Sequence, residues 1–205
     1  MTEAEWLECK DPATMLEFLR GKVSDRKLRL WACAYTSWNA DGRSYLLDAV
    51  RAAERWADGD PHVDLGPHAQ FYVCFPSAWR AAQEGTADSV ANWADSSHKR
   101  RATRLLLDNL RCVFGNPFRP VTYNPEWRTS TAVALARQMY ESRDFSAMPI
   151  LSDALKDAGC GDSEILAHCR LDDVGLCSAD VNVPFRTGGP HVRGCWVVDL
   201  VLGKE

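Results

Sequence analysis

The sequence predicts a mostly α-helical protein, an irregular multi-helix bundle or stack of two packed helical lobes with little or no β-sheet. Apolar residues recur at helical spacing through most of the chain, capping residues stand in front of those runs, and Gly or Pro closes them. At 205 residues the chain is long enough to bury a substantial core. A hydrophobic fraction of 46% and a charged fraction of 25% fit an ordinary globular protein rather than a disordered one.

Thr2-x-x-Glu5 has capping-box spacing ahead of Trp6 and Leu7. Asp11-Pro12 supplies an N-cap and a first-turn proline for a second helix carrying Met15, Leu16, Phe18 and Leu19, with Gly21 as its stop. Ser24-Asp25 opens a third, with Leu28, Trp31, Ala32 and Tyr35 on one stripe. Asp41 opens a fourth, whose stripe is Leu46, Leu47, Val50, Ala53 and Ala57, ending at Gly59. Residues 58–69 read as a loop, and 71–75 fit strand or helix equally. One long or two short helices follow between Asp88 and Val113, before Gly115.

Residues 114–130 contain three prolines, two of them in Asn-Pro steps, and predict an ordered connector. The chain therefore divides into an N-terminal helical lobe (1–113), the connector (114–130) and a C-terminal helical lobe (131–205). In the last, Thr131–Glu141, Phe145–Ala158 and Ser163–Arg170 are helix candidates, with Gly159 closing the second. Residues 171–189 read as irregular. Gly189-Pro190 and Gly203 bracket a final run, read as a helix in preference to a strand with Trp196, Val198, Leu200 and Leu202 on one side.

The net charge of −4 argues against nonspecific binding to nucleic acid or anionic membranes. Lys99-Arg100-Arg101 with Arg104 reads as the solvated face of an amphipathic helix. The acidic start, MTEAEWLECKD, lacks the order of a signal peptide, and the apolar run Trp196–Leu202 is too short to span a bilayer. The expectation is a cytoplasmic protein whose eight cysteines stay reduced. Eight tryptophans point to indole-pinned helix contacts, since each can bury roughly 150–250 Å².

Reactive side chains concentrate from Cys160 onward: Cys160, His168, Cys169, Cys177, His191 and Cys195. Zinc takes four tetrahedral ligands from thiolate and imidazole, and Cys160, His168, His191 and Cys195 are the metal candidates. His191 and Cys195 would lie one helical turn apart. The same helix would carry Asp199 one turn further, so a thiol nucleophile, base and orienting carboxylate are the catalytic alternative (Cys195, His191, Asp199). There is no Cys-x2-Cys, phosphate loop, nucleophile elbow, His-Glu-x-x-His or dinucleotide fingerprint. Asp172-Asp173 makes a poor calcium loop.

The stretches MTEAEWLECKDPATMLEFLRGKVSDRKLRLWACA, VFGNPFRPV, ILSDALKDAGCGDSEILAHCR and GPHVRGCWVVDLVLGKE together resemble a paralogous family of planctomycete bacterial proteins. The resemblance covers about half the chain and implies no activity, ligand or site. Related sequences carry further cysteines and basic residues after the position of Ala34, where this chain has Tyr35-Thr36-Ser37-Trp38, leaving Cys33 alone. From the resemblance, His168, Arg170, His191, Arg193, Cys195 and Trp196 are of interest.

With no catalytic motif, the leading expectation is a non-enzymatic protein-binding or adaptor module. Its surface would be a groove between lobes, with Arg119 and Trp127 from the connector and Arg170, Arg193 and Trp196 from the C-terminal block. The partner would be another protein, not nucleic acid or membrane, and no cofactor is expected unless it is zinc. A cysteine- or metal-dependent hydrolase using the Cys160–Cys195 region and a zinc-stabilised structural domain are the alternatives.

Overall fold

The computed structural model describes residues 1–39, 44–66, 79, 82, 96–170 and 191–204. Among these residues there is no strand, so the helical expectation holds. The readings made for Asp41, 67–69, 71–75, 88–95 and 171–189 lie outside the described residues. No helix among the described residues is long and apolar enough to cross a membrane.

The chain forms two compact units, Met1–Phe118 and Arg119–Glu205, dividing inside the proline-rich stretch. The first unit contains α1 (Glu3–Glu8), α2 (Pro12–Leu19), α3 (Asp25–Asn39), α4 (Ser44–Ala57) and α5 (Ser96–Phe114). Both halves of the Thr2/Glu5 capping box form at α1. Asp11 caps α2 by accepting from the backbone N–H of Ala13 and Thr14 at 3.1 and 3.2 Å. Trp6, Met15, Leu16, Leu19, Trp31, Leu106 and Leu110 are fully buried and form much of this core. The Trp31 indole donates to the Leu106 carbonyl at 3.4 Å, so its one polar atom is satisfied inside. Trp56 is exposed and lies under the Arg29 guanidinium at 4.2 Å, so not every indole is a core anchor. Arg100 and Arg104 are exposed, as the amphipathic reading of α5 requires.

Arg111 on α5 closes the end of α1. Its Nη2 donates to the carbonyls of Trp6, Leu7 and Cys9 at 3.3, 3.1 and 3.1 Å, which the helix leaves without internal donors.

The second unit contains α6 (Ser130–Ser142), α7 (Met148–Asp157), α8 (Ser163–Cys169) and α9 (Trp196–Leu202), after a 3-10 turn at Pro125–Trp127. Helix α7 packs on α6 and α8, and α9 packs on α6 and touches α8. Its core includes Met139, Phe145, Met148, Leu151, Leu155, Ile165, Val197, Val198 and Val201.

The final run is a helix, but it is shorter than the sequence predicts. It begins at Trp196, not near Pro190, because Gly194 adopts a left-handed φ of 92° and breaks the run. Gly203 ends α9 with φ 68°, and Arg128 donates to Val201 and Leu200 carbonyls at 2.9 Å each. A Cβ on Gly203 would come within 3.4 Å of that guanidinium.

Two outcomes follow from these caps. Arg128→Ala should cost about 1 kcal/mol in urea unfolding, by removing two charge-assisted bonds at an exposed helix end. Asp11→Ala should cost about 1 kcal/mol. The Thr14 hydroxyl and then the backbone donors hold the Asp11 carboxyl below its ordinary range. A lowered folded pKa means that the carboxylate's contribution is complete above about pH 4 and disappears as pH falls through the lowered value. Wild type and Asp11→Ala should therefore converge in stability in acid titrations followed by circular dichroism.

Candidate metal centre

Three donors meet inside the second unit. His168 sits in the last turn of α8, Cys195 is the N-cap residue of α9, and His191 lies just before it. His168 Nε2 is 3.2 Å from Cys195 Sγ, and His191 Nδ1 is 3.9 Å from the same sulfur. The donor atoms of these three residues all lie within 4.8 Å of one another. Their exposures are 8, 2 and 0% for His168, His191 and Cys195, so the group is sealed from water.

Local structure explains the meeting. Gly194 turns the chain so that the Cys195 N–H donates to the Val192 carbonyl at 2.9 Å, and this tight turn swings His191 back toward the sulfur. Asp162 caps α8 by accepting from Glu164 and Ile165 N–H at 2.9 and 3.1 Å, fixing the helix that carries His168. The two imidazoles stand edge to face, with centroids 4.9 Å apart and planes at 80°. Trp196 lies 5.2 Å from the His168 ring, and Phe145 lies 6.3 Å from His191. Phe145, expected inside a helix, instead occupies the turn before α7 and is buried against the site. Its role depends on tertiary packing that no local pattern records.

The expected i, i+4 helical row is replaced by a turn and a helix start. His191 and Cys195 still meet, but through the turn, and Asp199 is buried one turn into α9 outside the donor group. Cys160 also lies outside it, near Tyr123: burial raises the phenol's pKa, Arg128 opposes, and Cys160 raises it further. Burial pushes the Cys160 thiol up as well. Cys169 is driven much further up, first by burial and then by the neighbouring Cys195 and Cys160.

The five residues expected to bind a partner each have an intramolecular contact. Arg119 pairs with Glu164 at 2.9 Å and Arg170 with Asp153 at 3.2 Å. Trp127 stands edge-on to Tyr123, Arg193 covers the Tyr140 ring at 4.2 Å, and Trp196 packs on His168.

Sulfur and nitrogen donors around a tetrahedral zinc would be separated by about 3.5 Å, given bonds of about 2.3 and 2.0 Å. The observed 3.2 and 3.9 Å straddle that separation. The group could therefore hold a metal such as zinc. A comparison of the chain with known protein families, characterised proteins and solved structures finds no match.

A thiol sealed in this way should be inert to reagents in solution. Among the described cysteines, brief alkylation of the native protein, mapped by mass spectrometry, should modify half-exposed Cys9 first and leave Cys195 and Cys169 intact until denaturant is added. Selective early modification of Cys195 would instead mark a reactive nucleophile.

Proposed function

We propose that the protein is a non-enzymatic binding module whose second unit is stabilised by one zinc ion, with His168, His191 and Cys195 among the ligands. The observation that carries this reading is the convergence of three sulfur and nitrogen donors in a place closed to solvent. Donors of this softness suit zinc and not calcium or magnesium, which take oxygen. When bound, zinc supplies a fixed cross-link and neutralises thiolate charge. The chain's own residues do the rest: α8 and the Gly194 turn hold the imidazoles and sulfur in place, while Phe145 and Trp196 pack on them.

Closure favours a structural role over a hydrolytic one, because a nucleophile must reach its substrate and Cys195 is wholly buried. A partner protein in a bacterial cytoplasm fits the acidic charge and the lack of catalytic motifs. The first unit offers an open cleft of about 560 Å³, lined by Leu7, Lys10, Arg104, Leu107, Asp108 and Arg111, as a place for it.

Elemental analysis of the native full chain should find about one zinc per molecule, falling below about 0.2 in Cys195→Ser and His168→Ala. Chelation should lower the Tm of wild type and leave those variants unchanged. A metal-free native protein whose Tm does not respond to zinc would end this reading.

A further inference from the structure

We infer that the cleft beside α1 and α5 takes an acidic peptide segment of the partner protein, with Lys10, Arg104 and Arg111 holding its carboxylates and Leu7 and Leu107 meeting an apolar side chain. The inference rests on the binding-module part of the reading above and gives that cleft its ligand chemistry. The zinc centre plays no part in it.

Every residue lining the cleft belongs to the first unit. Arg104, Leu107, Asp108 and Arg111 recur at i, i+3, i+4 and i+7, so they share one face of α5. The last turn of α1 and Lys10 complete the lining. Leu7 is 55% exposed there, apolar surface that an occupant would cover. The helical rise sets the two arginines about 10 Å apart along α5. Roughly three or four residues of extended peptide cover that span.

Charge selects the occupant. Among the described residues the Lys10 side chain makes no ion pair or hydrogen bond. Arg104 is 59% exposed, and its one ion pair among them, with Asp108, is a long 3.8 Å. Arg111 uses Nη2 on the three carbonyls at the end of α1, while its Nε and Nη1 make no hydrogen bond among the described residues. Two carboxylates, Glu8 and Asp108, face these three cations, so the lining carries one net positive charge in a chain whose total is −4. Burial raises the Asp108 pKa against the pull of Arg104 and Arg111, so the cleft's own acid is a poor partner for its arginines. A carboxylate brought from outside meets guanidinium donors that the chain has not saturated.

Fluorescence anisotropy on the full-length protein tests this with short labelled peptides that alternate Glu with Leu, Gln with Leu, or Lys with Leu. The Glu-Leu peptide should bind at least about tenfold more tightly than the others. Lys10→Ala and Arg104→Ala should each weaken it about fivefold, and together about twentyfold or more. Both side chains are exposed, so circular dichroism should show the variants folded, whereas Arg111 is kept because it holds the end of α1. In the wild-type protein the same peptide should slow alkylation of Cys9, which also lines the cleft, a readout that needs no variant. Equal binding of the Gln-Leu or Lys-Leu peptide, affinity untouched by both substitutions, or unchanged Cys9 labelling would overturn the inference. Displacement by equimolar succinate or inorganic phosphate would overturn it too, since the cleft would then take small anions. If no peptide binds a protein that holds its zinc, the peptide inference falls and the zinc reading stands. Peptide binding by a zinc-free native protein would do the reverse.

Discussion

The contact between Cys195 Sγ and His168 Nε2, 3.2 Å apart and out of reach of water, is the constraint on which the second unit depends. A buried imidazole is tolerated only when its polar atoms find partners inside, because no solvent is there to replace them. The contact joins α8 to the start of α9 across 27 residues of sequence. Those two helices otherwise touch sparingly, each leaning on a different neighbour, α7 or α6. Polar atoms at their junction therefore set how the chain's end is held, and the aromatic rings around them complete the packing.

Much of this architecture was legible in the residues because its signals are local. Thr2 with Glu5, Asp11 with Pro12, and Ser24 before Asp25 each announce a helix start through residues no more than three apart, and the structure uses all three. His168, His191 and Cys195 could also be named in advance, since they are the residue types that metals and buried polar clusters use. Their geometry could not. Gly189-Pro190 suggested a helix through His191, whereas Gly194 takes a conformation available mainly to glycine and delays the helix until Trp196. The predicted proximity of His191 and Cys195 is right for a reason other than helical spacing.

What remained illegible depends on long-range contacts. Arg111 and Arg128 look alike in sequence to other scattered arginines. In the structure each closes the carbonyl end of a short helix, α1 in the first unit and α9 in the second. Short helices gain little from their own hydrogen bonds, so terminal carbonyls weigh heavily in them. A guanidinium offers several donors in a fixed fork and can satisfy two or three such carbonyls at once. Arg128 also explains why the proline-rich stretch is ordered: it lies over the Tyr123 ring and reaches α9 from the same position.

The chemistry of the cluster follows from its burial more than from its composition. A thiol and two imidazoles are also the parts of a nucleophilic site, and at a surface they would have to be read that way. Catalysis requires that the sulfur meet substrate and that its thiolate be held in an electropositive, partly open setting. Here the sulfur is fully covered, valines follow it along α9, and the nearby Cys169 thiol is held strongly against ionisation by the same burial. A metal ion held here would change that balance from within. It would supply the positive charge that the apolar surroundings lack and take the thiolate as a ligand. Burial and soft donors together make this a place that could hold a metal such as zinc.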